Sequence, residues 1–208
     1  MTKSTFKFKS IRYLMYLPKD FDEANKYPVL FHLHGAGGRG EDFSLFKDAP
    51  LIKILEGDKP SPLHNAIVVI PQCHADTWFN IFNDLLELAQ HIHELEYVDT
   101  TRFVGSGISM GGYGIYQVIM CLPELFTKGL VCCGGGMYWN SGRLAHVKWR
   151  IFHGEKDTAV YPEEAKRMYH RLKEACADVT LTIYPDCDHN CWDKTFYNKD
   201  NQKWIVEE

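Results

Sequence analysis

Three residues in this chain have the types and order that nucleophilic chemistry at an acyl carbon needs. Ser109 sits in Gly107-Ile108-Ser109-Met110-Gly111, Asp157 closes His153-Gly154-Glu155-Lys156-Asp157, and His189 lies in Cys187-Asp188-His189-Asn190-Cys191. A serine hydroxyl is a poor nucleophile at neutral pH and needs a base within hydrogen-bond reach. Histidine can take that proton and return it, because its ordinary pKa of ~6.5 lies close to neutrality. A carboxylate behind the ring fixes its tautomer and stabilises the imidazolium.

The local sequence around Ser109 favours this reading. A short β-like run at 102–104 feeds the glycine-rich turn, and Gly111, Ile115, Val118 and Leu122 then share one helical face up to Pro123. Strand, Gly-x-Ser-x-Gly, helix is the setting of a nucleophile elbow. The turn is so tight that flanking side chains must nearly vanish, hence glycine at 107 and 111. The following helix directs its positive end at the same point, which suits a developing oxyanion. A dinucleotide-binding reading of Gly105-x-Gly107 fails, because Met110 stands at the third glycine position.

The elements that must position these groups follow from apolar runs and their punctuation. Strands are expected at 11–17, 27–33, 66–70, 102–104, 128–133, 147–152 and 179–184, and helices at 81–95, from 111, from 162 and at the C-terminus. Alternating strands and helices imply an α/β fold with a mainly parallel sheet and helices on both faces, here as one domain over 1–208. In such sheets, functional groups gather at the carboxyl ends of strands. The glycine loop His34-Gly35-Ala36-Gly37-Gly38-Arg39-Gly40, Ser109, Asp157 and His189 each follow an expected strand. Backbone N–H groups of the glycine loop would complete an oxyanion hole with the Met110 amide. A phosphate loop is disfavoured, since no Gly-Lys-Ser/Thr follows.

Of the ten histidines, only His189 lies beyond the last strand; His32 and His34 precede the nucleophile, and His170 is on a helix. His91 and His93 fall off the apolar stripe of the 81–95 helix and read as surface residues. For the acid, Asp157 arrives from its own strand, whereas Asp186, Asp188 and Asp193 crowd the histidine loop and Glu155 remains an alternative. Cys187-x-His189-x-Cys191 lacks the second ligand pair of a zinc site, so no metal is expected and its cysteines read as loop packing. The chemistry needs no cofactor.

Composition bounds the setting. A chain of 208 residues, 45% of them hydrophobic, can build a sizeable core, and a net charge of −4 with mixed signs gives no nucleic-acid or membrane-surface footprint. No run approaches the ~18 apolar residues of a membrane span. The first residues lack the apolar core of a signal peptide, and seven scattered cysteines fit free thiols, so a cytoplasmic protein is expected, with a secreted protein whose leader has been trimmed as the alternative.

With these motifs in place, the chain resembles the carboxylesterase branch of the α/β-hydrolases. It looks most like the compact bacterial predicted peptidases and esterases related to polyhydroxybutyrate depolymerases and feruloyl or acetylxylan esterases. The likeness runs from about Ile11 onward through the His34–Gly40 loop, Pro71-Gln72-Cys73, residues 107–114, residues 153–157 and His189-Asn190-Cys191-Trp192-Asp193. It implies Ser109, His189 and Asp157 as the triad, the amides of Ala36 and Met110 as the oxyanion hole, and Gln72, Trp78 and Trp192 at the substrate. Asp188 stands where this family often has glycine before the histidine. No stretch is long enough for a sizeable cap, so an open, shallow site for bulky or carbohydrate-linked esters is expected, acting on small-molecule or oligosaccharide esters. A peptidase acting on short peptides and a non-catalytic binding protein are the rival functions.

Overall fold

The computed structural model describes residues 1–207. The strands are β1 (Thr2–Phe8), β2 (Ile11–Leu17), β3 (Tyr27–Leu33), β4 (Ile67–Gln72), β5 (Val98–Ile108), β6 (Lys128–Cys132), β7 (Lys148–Gly154) and β8 (Val179–Tyr184). The helices are α1 (Pro50–Glu56), α2 (Phe82–His93), α3 (Met110–Cys121), α4 (Pro162–Glu174), α5 (Trp192–Tyr197) and α6 (Lys199–Val206). The eight strands form one sheet in the order β1-β2-β4-β3-β5-β6-β7-β8. The β1/β2 and β2/β4 pairs are antiparallel, and every pair from β4 to β8 is parallel.

Period-two alternation along the strands sends side chains to two separate cores. Phe31 and Leu33 of β3 and Phe103 of β5 meet the apolar stripes of α2, α3 and α4 on one face. Leu30 and Val104 meet α1, α5 and α6 on the other. Near-continuous burial of β3, β4 and β6 is the mark of strands covered on both sides. Helix α4 begins with Pro162 at its first turn, carries Glu163 and Glu164 there, and ends with Arg171 and Lys173, in agreement with its dipole.

Two elements were not anticipated. The hairpin strand β1 alternates lysines with small and aromatic residues and lies largely exposed, so its sequence has no apolar run; its lysines suit an edge strand. Helix α1 is a seven-residue segment with five buried apolar residues, too short to display helical periodicity. Strand β5 also extends well upstream of the expected 102–104, through polar residues 99–102. The C-terminal helix is two helices, separated at Asn198, whose side chain caps α6 through the Asp200 amide.

Between β6 and β7 the chain makes only a short 3₁₀ segment, Tyr138–Leu144, so no cap domain is inserted over the sheet there. No helix is long and apolar enough to cross a membrane among the described residues.

Candidate active site

Strand β5 is central, and its register with β3 (Leu33 opposite Gly107) and β6 (Ile108 opposite Cys132) holds both ends of the turn. Ser109 caps α3 at φ 53° and ψ −118°, a strained backbone for a residue with a side chain. Its amide donates to the Cys132 carbonyl at 2.9 Å, which pins the strained residue to the neighbouring strand. The flanking glycines are demanded sterically. A Cβ on Gly107 would lie 2.2 Å from the Gly111 carbonyl oxygen, and one on Gly111 would lie 2.0 Å from the Leu33 carbonyl oxygen.

Ser109, His189 and Asp157 are hydrogen-bonded in series. Ser109 Oγ lies 2.9 Å from His189 Nε2, and His189 Nδ1 lies 2.7 Å from Asp157 Oδ2. An ionised carboxylate only accepts, so Nδ1 carries the proton and Nε2 is left free to accept from the Ser109 hydroxyl. The Asp157 side chain is buried, and Oδ1 accepts from the Ala159 and Val160 amides, each at 2.9 Å. Burial pushes its pKa up, but the His189 hydrogen bond and the two amides outweigh that and hold it below the ordinary carboxylate range. The rival acids are engaged elsewhere or exposed: Asp186 pairs with Lys194, and Asp188 accepts from the Asn190 amide.

His153, wholly buried at the end of β7, backs the acid. Its Nε2 donates to the Val160 carbonyl at 2.8 Å and lies 3.2 Å from Asp157 Oδ2. Burial holds its pKa below the usual histidine value, against the pull of Val160 and Asp157. Cys133, His153 and Asp157 offer ligand atoms within 4.8 Å of one another. Asp157 is engaged as above, His153 Nε2 with Val160 and Cys133 Sγ with Cys191 Sγ at 2.9 Å, whereas His153 Nδ1 is buried without a hydrogen-bond partner among the described residues.

Ala36 and Met110 each open a helical segment, and an N–H at that position has no intrahelical acceptor. Ala36 lines a cavity of about 440 Å³ together with Ser109, His189 and Trp192. The glycine loop that carries Ala36 is held from below. Gln72 is buried, donates to the Gly38 carbonyl at 3.0 Å and accepts from the Phe43 amide at 2.9 Å. His34 Nδ1 bonds the Gly35 carbonyl, and its Nε2 accepts from the Cys73 amide at 3.0 Å.

Two of the three expected substrate contacts are therefore corrected. Gln72 is not in the wall of this cavity, and both ends of its amide clamp loops. Trp78 is fully buried, donates from Nε1 to the His34 carbonyl at 3.1 Å, and fills the space left by Gly114. Trp192 does stand in the cavity wall, edge-on to His189 with ring centroids 5.5 Å apart. Residues that the sequence did not single out, Phe46 and Ala49 on the approach to α1, Pro50 at its start and His32 on β3, also line the cavity. Strand parity would have found His32, since Phe31 and Leu33 commit the opposite face to the core.

His32 and His34 are buried neutral, their pKa values lowered by burial to about 3 and about 4. The unfolded chain takes up these protons near the ordinary value of ~6.5, so acid favours unfolding across the interval below it. With two such groups, unfolding free energy should fall by about 3 kcal/mol per pH unit between roughly pH 6 and pH 4. Chemical denaturation at stepped pH checks this; equal stability across that interval would mean that both rings are solvated.

The fold is that of the α/β-hydrolases, and the chain is a member of that superfamily. A sequence profile of the Prolyl oligopeptidase family matches residues 72–141, about a third of the chain. Dipeptidyl-peptidase 5 of Aspergillus fumigatus is 27% identical over 226 aligned positions, covering 88% of this chain and 31% of its own length. The chain thus spans about a third of the length of that curated relative. A solved thermostable esterase superposes with a TM-score of 0.79 at 28% identity, over 98% of this chain and 62% of the esterase. A ferulic acid esterase superposes with a TM-score of 0.69 at 16% identity, over 99% of this chain and 96% of its own. These relatives support a serine hydrolase of the S9/esterase type, and both esterases and peptidases stand among them.

Proposed function

We propose that residues 1–208 act as one hydrolase domain that cleaves carboxylic esters through an acyl-enzyme, on short-chain acyl or carbohydrate-linked aryl or acetyl esters. The observation that carries this is the series Ser109–His189–Asp157, at 2.9 and 2.7 Å, opening into the cavity beside the glycine loop. Ser109 Oγ attacks the acyl carbon while His189 Nε2 takes its proton, and the carbonyl oxygen becomes an oxyanion facing the Ala36 and Met110 amides. Collapse of the tetrahedral intermediate breaks the bond to the alcohol, which leaves with the proton from His189. Water then gives a proton to His189 and attacks the acyl carbon; the acid departs and Ser109 recovers its proton. No cofactor enters this sequence. Seven unpaired thiols support a cytoplasmic setting.

The peptidase reading rests on the prolyl oligopeptidase profile and the dipeptidyl-peptidase relative. An amide leaves less readily than an alkoxide and needs more help from the site. Matched p-nitrophenyl esters and p-nitroanilides of the same acyl group separate the two readings. The expected result is fast ester turnover with the anilide far behind; an anilide cleaved as well as its ester would favour the peptidase.

A further inference from the structure

Two buried histidines outside the triad line the cavity, and whereas His34 has both ring nitrogens engaged, His32 has only one. His32 lies on β3 with Leu30 on the α5 and α6 side of the sheet, 4% exposed, and lines the same cavity as Ser109 and His189. Its Nδ1 is 2.8 Å from the hydroxyl of Ser106, which is wholly buried on the neighbouring strand. Phe196 of α5 meets the ring edge-on, with centroids 5.4 Å apart, and fixes its orientation.

The hydrogen-bond pairing selects the tautomer. Among the described residues the Ser106 hydroxyl has no other partner. If Nδ1 carried the proton, the serine hydrogen would be buried without an acceptor, which is costly. When Ser106 donates to Nδ1, both groups are satisfied, and the ring proton sits on Nε2. Nε2 has no partner within the described residues, so a neutral N–H is presented to the cavity. A buried donor of this kind stays unpaired when the cavity is filled by hydrocarbon, and is satisfied by an oxygen acceptor.

We propose that His32 is a specificity-determining residue, whose Nε2–H donates to an ether, hydroxyl or carbonyl oxygen on the part of the ester that enters this cavity. The proposal rests on the esterase reading above and adds to it a substrate class, esters bearing an oxygen acceptor away from the scissile bond. The acceptor belongs to the acyl or the alcohol portion, according to which one the cavity takes.

Two isosteric pairs distinguish these sources. On the acyl side, p-nitrophenyl 3-methoxypropanoate is compared with p-nitrophenyl pentanoate; on the alcohol side, 2-ethoxyethyl acetate is compared with pentyl acetate. Wild type should favour the oxygen-bearing member of one pair by at least about tenfold in kcat/KM, the worth of one hydrogen bond. The double variant His32→Leu, Ser106→Ala removes both partners together and should bring that ratio to about one. Binding is read separately in the Ser109→Ala protein with nitrogen-15-labelled histidine. There the His32 ring should appear as the neutral Nε2–H form, and its proton should shift with one oxygen-bearing ester but not with its hydrocarbon partner. The shift without ester turnover in wild type would keep His32 in this role and overturn the esterase reading. Turnover with no preference in either pair and no shift, or an Nδ1–H ring, would overturn the role of His32.

Discussion

Replacing Ser109 by alanine is expected to lower ester turnover by on the order of 10⁴–10⁶ while the protein stays folded. The substitution removes only an oxygen, and the Ser109 amide that ties the turn to Cys132 is untouched. His189→Ala should cost about as much, because the hydroxyl 2.9 Å from Nε2 then has no base. The double variant should be no slower than either single one, since groups that move one proton act as a unit. Steady-state rates on one p-nitrophenyl ester across the four proteins test this. Losses that multiply would mean that serine and histidine work independently.

The second large effect concerns a backbone contact. Gly111→Ala would ordinarily favour a helix by up to about 1 kcal/mol. Here the new methyl would meet the Leu33 carbonyl oxygen at 2.0 Å and the His34 carbonyl oxygen at 2.7 Å, both on β3 or its exit. Neither atom belongs to a flexible side chain, so the helix must retreat from the strand. The expected loss is on the order of 3 kcal/mol, seen as a fall of about 10 °C in thermal midpoint. The displaced elbow would also misplace the Ser109 hydroxyl against His189, so activity should drop even where the variant remains folded. An unchanged midpoint would show that the turn has slack which the packing around Gly111 denies.

Much of this arrangement was legible in the residues because it depends on local chemistry. Glycines 107 and 111 announce a turn that tolerates no side chain, and strands 11–17, 27–33 and 179–184 are bounded by their own punctuation. Asp157 stood out from Asp186, Asp188 and Asp193 because it approaches from a separate strand, and it is the carboxylate that meets His189. What the sequence concealed depends on packing between distant segments. Trp78 reads as an aromatic beside the site, yet its burial follows from the space over Gly114, thirty-six positions further on. Gln72 ends a strand at the catalytic edge, but its amide is taken by Gly38 and Phe43, partners fixed only once the glycine loop folds back. Helix α1 emerges because the sheet face above β3 needs covering, and its short apolar run fits equally well in a strand.

The proposed function makes Ser109 a nucleophile activated by His189, with Asp157 orienting the histidine. Its most direct test is incubation with a fluorophosphonate, followed by mass-spectrometric mapping of the adduct in wild type and Ser109→Ala. One stoichiometric adduct is expected, on the peptide containing Ser109, and none in the variant. An unlabelled wild type, or equal labelling of the variant, would contradict it.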